Sequence, residues 1–519
     1  MRDFQSPGRS AAFAANGMIA TSHPDAARAG LDVLREGGGA ADAAIAASAV
    51  MAVAEPQNAG LGGDSFWIHG DAAGRTTAYN GSGRTPMGID PQTVGVVGPE
   101  SAHSVTVPGA VDALLRLHED HGRLPLDRLL APAIALARDG WLVQPRVAWD
   151  WQFGRDRLAA SATARDFWAR DVRPGTRIVQ PALAATLDAI AAQGRAAFYE
   201  GAIAQGIVAT LRGLGGDHAL DDFAAHRGEA VTPIRTTYRG CEILECPPNG
   251  QGMSVLMMLN MLDGLAMPAV WADSARYIHL LAQVSQLAYA ERDRWVCDPA
   301  FARTPLETLL SPAFADGLRQ RLDPQAAIVA PPVVEPEHKD TVSLACVDRD
   351  GNAISFINSI FTDFGSAIYD AASGILLHNR GSCFTPEAGH PNALAPGKRP
   401  MHTIIPGLAM RDGAPLMPFG VMGGHYQATG QVHLLSAMLD AGLDPQQAME
   451  LPRHFAFGGT LELERGVPAD VAAALAAKGH AITRAARPIG GGQAVWIDRR
   501  NGYLVGGSDP RKDGYALGY

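Results

Sequence analysis

Cysteine is scarce in this chain: five among 519 residues, at positions 241, 246, 297, 346 and 383, with no Cys-x-x-Cys pair. An odd, scattered set argues against a disulfide framework or a zinc site and suits reduced thiols in a cytoplasm. Positive charge is not in excess either, with 43 Lys and Arg against 53 Asp and Glu, a formal net charge of −10. Nucleic-acid binders usually present a basic face, so that class of partner is set aside. No stretch reaches the roughly 18 uncharged apolar residues of a membrane-spanning helix. Residues 1–16 hold Arg2 and Arg9 but no apolar segment, so no secretory signal is expected. What is present is globular: 47% hydrophobic and 18% charged residues, on a chain long enough for about two to four domains or one large α/β assembly.

Helical signals fill the first half. Pro24 suits the first turn of a helix over 24–36, which Gly37-Gly38-Gly39 ends. Residues 40–54 are nearly all Ala, Ile, Val and Met, which predicts a helix buried on most sides. Gly60-Leu61-Gly62-Gly63-Asp64 then leads into a strand over 65–70. Because these glycines precede a strand and do not open a helix, tight backbone packing explains them better than a dinucleotide loop. Residues 104–109 read as a strand feeding a helix over 110–119, with further helices at 126–138, 181–193 and 201–211. A strand is expected over 237–244, and helices at 253–262 and 272–294. Ser254 lies in Gly-x-Ser-x-Leu, which lacks the second glycine of a nucleophile elbow and argues against that kind of serine hydrolase. The proline-bearing stretch 322–338 reads as an extended, exposed connection where a backbone cut is tolerable.

Directly after it, Val342, Leu344 and Cys346 alternate with Thr341, Ser343 and Ala345, the period of a half-buried strand. Asp348 to Asn352 is turn chemistry, and residues 353–359 read as the returning strand. From local pattern alone, Thr341 is an ordinary strand threonine. The sharper reading is a cut between Asp340 and Thr341, which would make the threonine hydroxyl a nucleophile and its new α-amine the base. Farther on, a strand over 416–422 runs into Gly423-Gly424, ahead of a helix over 431–440. Adjacent glycines there leave backbone N–H groups open, as an oxyanion hole requires.

Taken together, Gly17-Met18-Ile19-Ala20, Gly38-Gly39-Ala40-Ala41-Asp42, Glu55-Pro56-Gln57, Gly60 to Gly63 and Val107-Pro108-Gly109 resemble the γ-glutamyltransferase family of N-terminal-nucleophile hydrolases. So do Asp340-Thr341, Ser373 to Asn379, Lys398-Arg399-Pro400, Gly423-Gly424 and Ser508 to Arg511, in the same order over nearly the whole chain. The resemblance implies an α+β fold, a four-layer αββα sandwich. It also implies a precursor that cuts itself into a large chain, 1–340, and a small chain, 341–519, which stay together as one unit. Thr341 would be the nucleophile, Gly423 and Gly424 the oxyanion hole, and Ser359 the hydroxyl that bonds the nucleophile's amine. A serine that merely ends the strand is the alternative for Ser359.

Departures from the family pattern bear on the substrate. Phe361, Arg380 and Cys383 occupy the positions where the family holds a donor's ammonium group, and a ring, a cation and a thiol are unsuited to that. His402-Thr403 replaces a serine pair that helps hold the donor carboxylate. The family arginine for that carboxylate has no clean match, with Arg84 the nearest. Structural roles for Arg380 and His402 stay open at this point. The expected activity is hydrolysis of a small acidic amide, resembling oxamate amidohydrolases and cephalosporin-acylase-like members of the group. A γ-glutamyl hydrolase or transferase is one alternative, and an unprocessed, catalytically silent binding relative another. No metal or organic cofactor is implied, and homo-oligomerisation is left open.

Overall fold

A computed structural model describes residues 8–328 and 341–519. Two seven-stranded antiparallel sheets are stacked. The first runs in the order Ala516–Gly518, Met18–Thr21, Val342–Val347, Ala353–Ser359, Asp64–Gly70, Thr76–Asn80, Glu229–Val231. The second runs Ala12–Ala14, Tyr503–Ser508, Gly491–Asp498, Ala414–Met422, Gly407–Arg411, Cys241–Glu245, Ile234–Tyr238. Each sheet takes strands from both sides of residue 341, so neither stretch closes a sheet alone.

Three apolar clusters correspond to the three interfaces of four layers. Phe66, Ile68, Ala345, Ile357, Leu408 and Val495 fill the space between the sheets. Val342, Leu344 and Phe356 face the helices Ala40–Ala54, Leu126–Asp139 and Pro181–Gln193. Phe419 and Val421 face Gly252–Asp263, Ser274–Trp295 and Tyr426–Leu439. This is the αββα sandwich that the family resemblance implies. Helix Ala40–Ala54 is buried at every position because it lies between a sheet and other helices, which its lack of a polar face already suggested.

The strand pattern at 342–347 was expected to be half-buried, and here the structure differs: every residue of Val342–Val347 is buried. The alternation is real but separates two buried faces. Val342, Leu344 and Cys346 meet the helical layer, while Ser343 and Ala345 meet the second sheet. Small residues are needed there because Gly420 of the facing sheet sits directly over Ser343. At the hairpin turn, Gly351 has φ 85°, and Asp348 Oδ2 accepts the Ala40 amide at 3.1 Å. A carboxylate at that helix N-terminus ties the 342–359 hairpin to the helix beneath it.

Other expectations shift locally. Residues 104–109 form no strand; a 3₁₀ turn, Ala102–Ser104, is followed by an extended segment laid against 81–84, where Gly83 and Gly109 make close approaches to the opposing carbonyls. The strand expected over 237–244 is a hairpin of two, Ile234–Tyr238 and Cys241–Glu245, turned through Arg239 at φ 50° and Gly240 at φ 74°. The helix expected from 431 begins at Tyr426. Residues 322–328 carry no regular element, and the remainder of the expected connection, with Asp340, lies outside the described residues.

Candidate active site

Register brings Thr341 and Ser359 together. Val342 pairs with Asn358, so Thr341 and Ser359 stand opposite at the open end of the hairpin, eighteen residues apart in sequence. Thr341 Oγ1 donates to Ser359 Oγ at 3.2 Å, and the threonine is 1% exposed. Gln427 Nε2, in the first turn of helix Tyr426–Leu439, donates to Thr341 Oγ1 at 3.3 Å. The Ile405 amide fixes that glutamine from its other end at 3.2 Å.

Beyond Ser359 the chain turns sharply. A Cβ at Gly63 would collide with the Ser359 carbonyl, which accounts for one glycine of the 60–63 cluster by close packing. Phe361 has φ 79°, in the left-handed region that a bulky residue rarely adopts, and its amide donates to Ser359 Oγ at 2.9 Å. Asn379 then braces the loop, its Nδ2 donating to Thr362 Oγ1 at 2.7 Å. The 3₁₀ turn Arg380–Cys383 starts at the next residue.

Arg380 is fully buried. Its Nη1 donates to Thr403 Oγ1 at 2.8 Å and its Nη2 to Ser359 Oγ at 3.4 Å. The Phe361 ring lies against its flat face, 4.1 Å from the guanidinium carbon, and the Cys383 side chain also hydrogen-bonds it. Among the described residues its Nε has no hydrogen-bond partner, and Arg380 makes no ion pair with any described carboxylate. Burial pulls its pKa below the ordinary arginine value. A buried cation next to Thr341 and Ser359, without an ion-pair partner among the described residues, is electrostatically suited to an anion.

His402 lies behind this group and is anchored. Its Nε2 sits 3.1 Å from Asp64 Oδ2, and His378 Nδ1 is 3.8 Å from the same oxygen. Asp64 Oδ1 accepts the Gly83 and Gly109 amides, each at 3.1 Å. Burial alone would raise the Asp64 pKa, but His378, the His402 hydrogen bond and the Arg380 charge outweigh it and hold the carboxyl well below its usual range. Burial, aided by Arg380, pushes His402 down to about 3, so its ring is neutral near pH 7.

Gly423 and Gly424 stand between strand Ala414–Met422 and helix Tyr426–Leu439, with φ 114° and 57°. Neither amide donates a turn or loop hydrogen bond among the described residues. Gln251 links this turn to the arginine site: its Nε2 donates to Thr403 O at 2.8 Å and to Gly424 O at 3.1 Å. Arg292 Nη1 in turn donates to Gln251 Oε1 at 2.9 Å.

The structure thus places Thr341, Ser359, Phe361, Arg380, Cys383 and Thr403 in one connected group, with His402 adjoining it through Asp64. Arg84 is elsewhere engaged, pairing with Asp298 at 2.6 Å and Glu229 at 2.9 Å and donating to Gly397 O; it makes no hydrogen bond to Thr341 or Arg380, and Asp340 lies outside the described residues. Sequence reasoning missed Gln427, because the helix was started five residues late. It also missed Asp64, His378 and Gln251, whose contacts cross long stretches of chain and leave no local pattern. Among the described residues, no three His, Cys, Asp or Glu side chains gather as a metal site.

A four-layer αββα sandwich with a threonine at the head of a central strand, joined through Gln427 to a diglycine turn, is the architecture of the N-terminal-nucleophile hydrolases. Comparison with known proteins narrows this. The sequence model of the gamma-glutamyltranspeptidase family matches residues 26–519, and the chain belongs to that family of amide-cleaving hydrolases. It is 37% identical to the glutathione hydrolase-like YwrD proenzyme of Bacillus subtilis, over 96% of this chain and 98% of the relative. It is 34% identical to the oxamate amidohydrolase proenzyme of Klebsiella pneumoniae, over 97% and 98%. The crystal structure of cephalosporin acylase from Bacillus halodurans superposes with a TM-score of 0.93 at 37% identity, covering 100% of this chain and 99% of that one.

Proposed function

We propose that the protein is a self-processing amidohydrolase that cleaves a small acidic amide, oxamate-like in its acyl part, through an acyl-enzyme on Thr341. In maturation the Thr341 hydroxyl attacks the carbonyl of residue 340, the acyl group passes from nitrogen to oxygen, and water releases residue 340 as a carboxylate. Thr341 is left with a free α-amine, whose pKa near about 8 suits a base at neutral pH.

In turnover that amine takes the Oγ1 proton as the hydroxyl attacks the substrate carbonyl. The Gly423 and Gly424 amides hold the oxyanion, at about 3–4 kcal/mol per donor. Collapse breaks the C–N bond, the proton passes to the leaving amine, and water then cleaves the ester. Ser359 and Gln427 orient the hydroxyl from two sides, and the Arg380 guanidinium binds the substrate's own carboxylate. The single observation that carries the substrate reading is Arg380: buried, without an ion-pair partner among the described residues, and hydrogen-bonded to the serine that bonds Thr341. The same observation disfavours a γ-glutamyl donor, whose ammonium group would meet this cation.

The Bacillus subtilis and Klebsiella pneumoniae relatives are both named as proenzymes, in keeping with processing. The five cysteines are free thiols, four of them buried, which supports a reducing compartment. No helix among the described residues is long and apolar enough to cross a membrane. N-terminal sequencing of the smaller fragment tests the reading, with Thr341 as the expected first residue. A single intact 519-residue species that still hydrolyses its amide would overturn it, whereas intact and inert protein would favour the silent relative.

A further inference from the structure

Beside Gly423 opens a cleft of about 780 Å³ that also touches Thr362, one residue from Phe361. Ammonia, the leaving group of an unsubstituted amide, is water-sized and fills on the order of 30 Å³. The cleft is in the range of sites that enclose drug-sized ligands.

Its lining has a definite chemistry. Phe455 and Phe457 stack nearly parallel, centroids 5.2 Å apart at 9°, and His425 continues the stack at 5.0 Å and 14°. Phe153 forms another part of the wall and is 48% exposed. The cations in the cleft are matched by carboxylates: Arg487 pairs with Asp363 at 2.6 Å and Asp150 at 3.0 Å, and Arg157 with Glu100 at 2.9 Å. Glu462, the remaining carboxylate of the lining, has no ion-pair partner among the described residues, so a floor of flat rings beside it suits an uncharged arene better than an anion.

We propose that this cleft is the leaving-amine subsite and that the enzyme prefers N-aryl amides to primary amides. The proposal rests on Thr341 as the nucleophile and deepens that reading by assigning the half of the substrate opposite Arg380. The arene lies on Phe457, and the amide nitrogen points toward Thr341 with its carbonyl oxygen at Gly423.

Four substrates separate the two halves: oxamate, N-phenyloxamate, acetamide and acetanilide, assayed with the processed wild-type enzyme and with Phe457→Leu and Phe457→Ala. Aniline leaves more readily than ammonia, so the readout is the aryl-to-primary ratio of kcat/KM relative to wild type. That ratio should fall by about tenfold in both variants, the size of a good aromatic contact. An unchanged ratio, or equal losses on aryl and primary amides, overturns the subsite. Preference for acidic over neutral acyl groups at a fixed amine reports separately on Arg380. If that preference is missing while the aryl ratio still falls, the acidic-amide reading fails and the cleft assignment stands.

Discussion

Replacing Arg380 by methionine removes the guanidinium while keeping an unbranched side chain to cover Phe361. In the wild type that cation is wholly buried, held by Thr403 at 2.8 Å and Ser359 at 3.4 Å. An acidic substrate loses its only described buried cationic contact in this group. Truncating one partner of a buried charge pair costs about 2–5 kcal/mol, or roughly thirty-fold to several-thousand-fold in kcat/KM at about 1.4 kcal/mol per decade. A neutral amide of the same size makes no such pair and should lose far less. The assay is kcat/KM on matched acidic and neutral amides for both proteins, with a thermal melt to establish folding and gel analysis of processing. Self-cleavage should survive, because its acyl group belongs to the chain and needs no bound carboxylate. Equal acid-to-neutral ratios in the two proteins would refute the role of Arg380, however much overall activity fell.

Three further outcomes follow from the same geometry. Gln427→Leu removes one neutral hydrogen bond to Thr341 Oγ1, worth about 0.5–1.5 kcal/mol, so kcat should fall by about three- to ten-fold with KM little changed; a change confined to KM would show that it acts on substrate binding instead. Gly63→Ala drives a methyl into the Ser359 carbonyl and should lower stability by about 1–3 kcal/mol, the usual cost of overpacking; an unaltered melting temperature would show that the strand end yields freely. Burial lowers His23 and His402 to about 3, and His226 and His454 to about 4. The unfolded chain takes up those protons below about pH 6.5, so it binds more protons than the native state. Stability is therefore full above that pH and falls as the pH drops toward 4, by at most about 1.4 kcal/mol per pH unit for each histidine; a flat melting temperature from pH 7 to 5 would contradict this.

Where chemistry depends on neighbours in sequence, it was legible. The 342–359 hairpin, the nearly all-apolar helix over 40–54 and the diglycine after the strand expected over 416–422 follow from period, composition and turn residues. Positions 361, 380 and 383 are singled out by spacing from Thr341 against the family pattern, and 402–403 as the replacement of its serine pair; their part in binding substrate is a proposal. Errors arose where the environment sets the pattern. Residues 342–347 alternate as a half-buried strand does, yet both faces are covered, because a second sheet lies where solvent was expected.

The amino-acid order alone determined that a hydroxyl residue opens a strand after a proline-bearing connection, that glycines mark the close approaches, and that no basic face or long apolar span is present. Only the tertiary structure decided that Arg380 meets Ser359 and Thr403, that Asp64 holds His402 from 338 residues away, and that Gln427 reaches Thr341. Those contacts depend on how two sheets and two helical layers stack. Burial removes the water that would otherwise screen the arginine's charge, which is the physical basis of the proposed anion site.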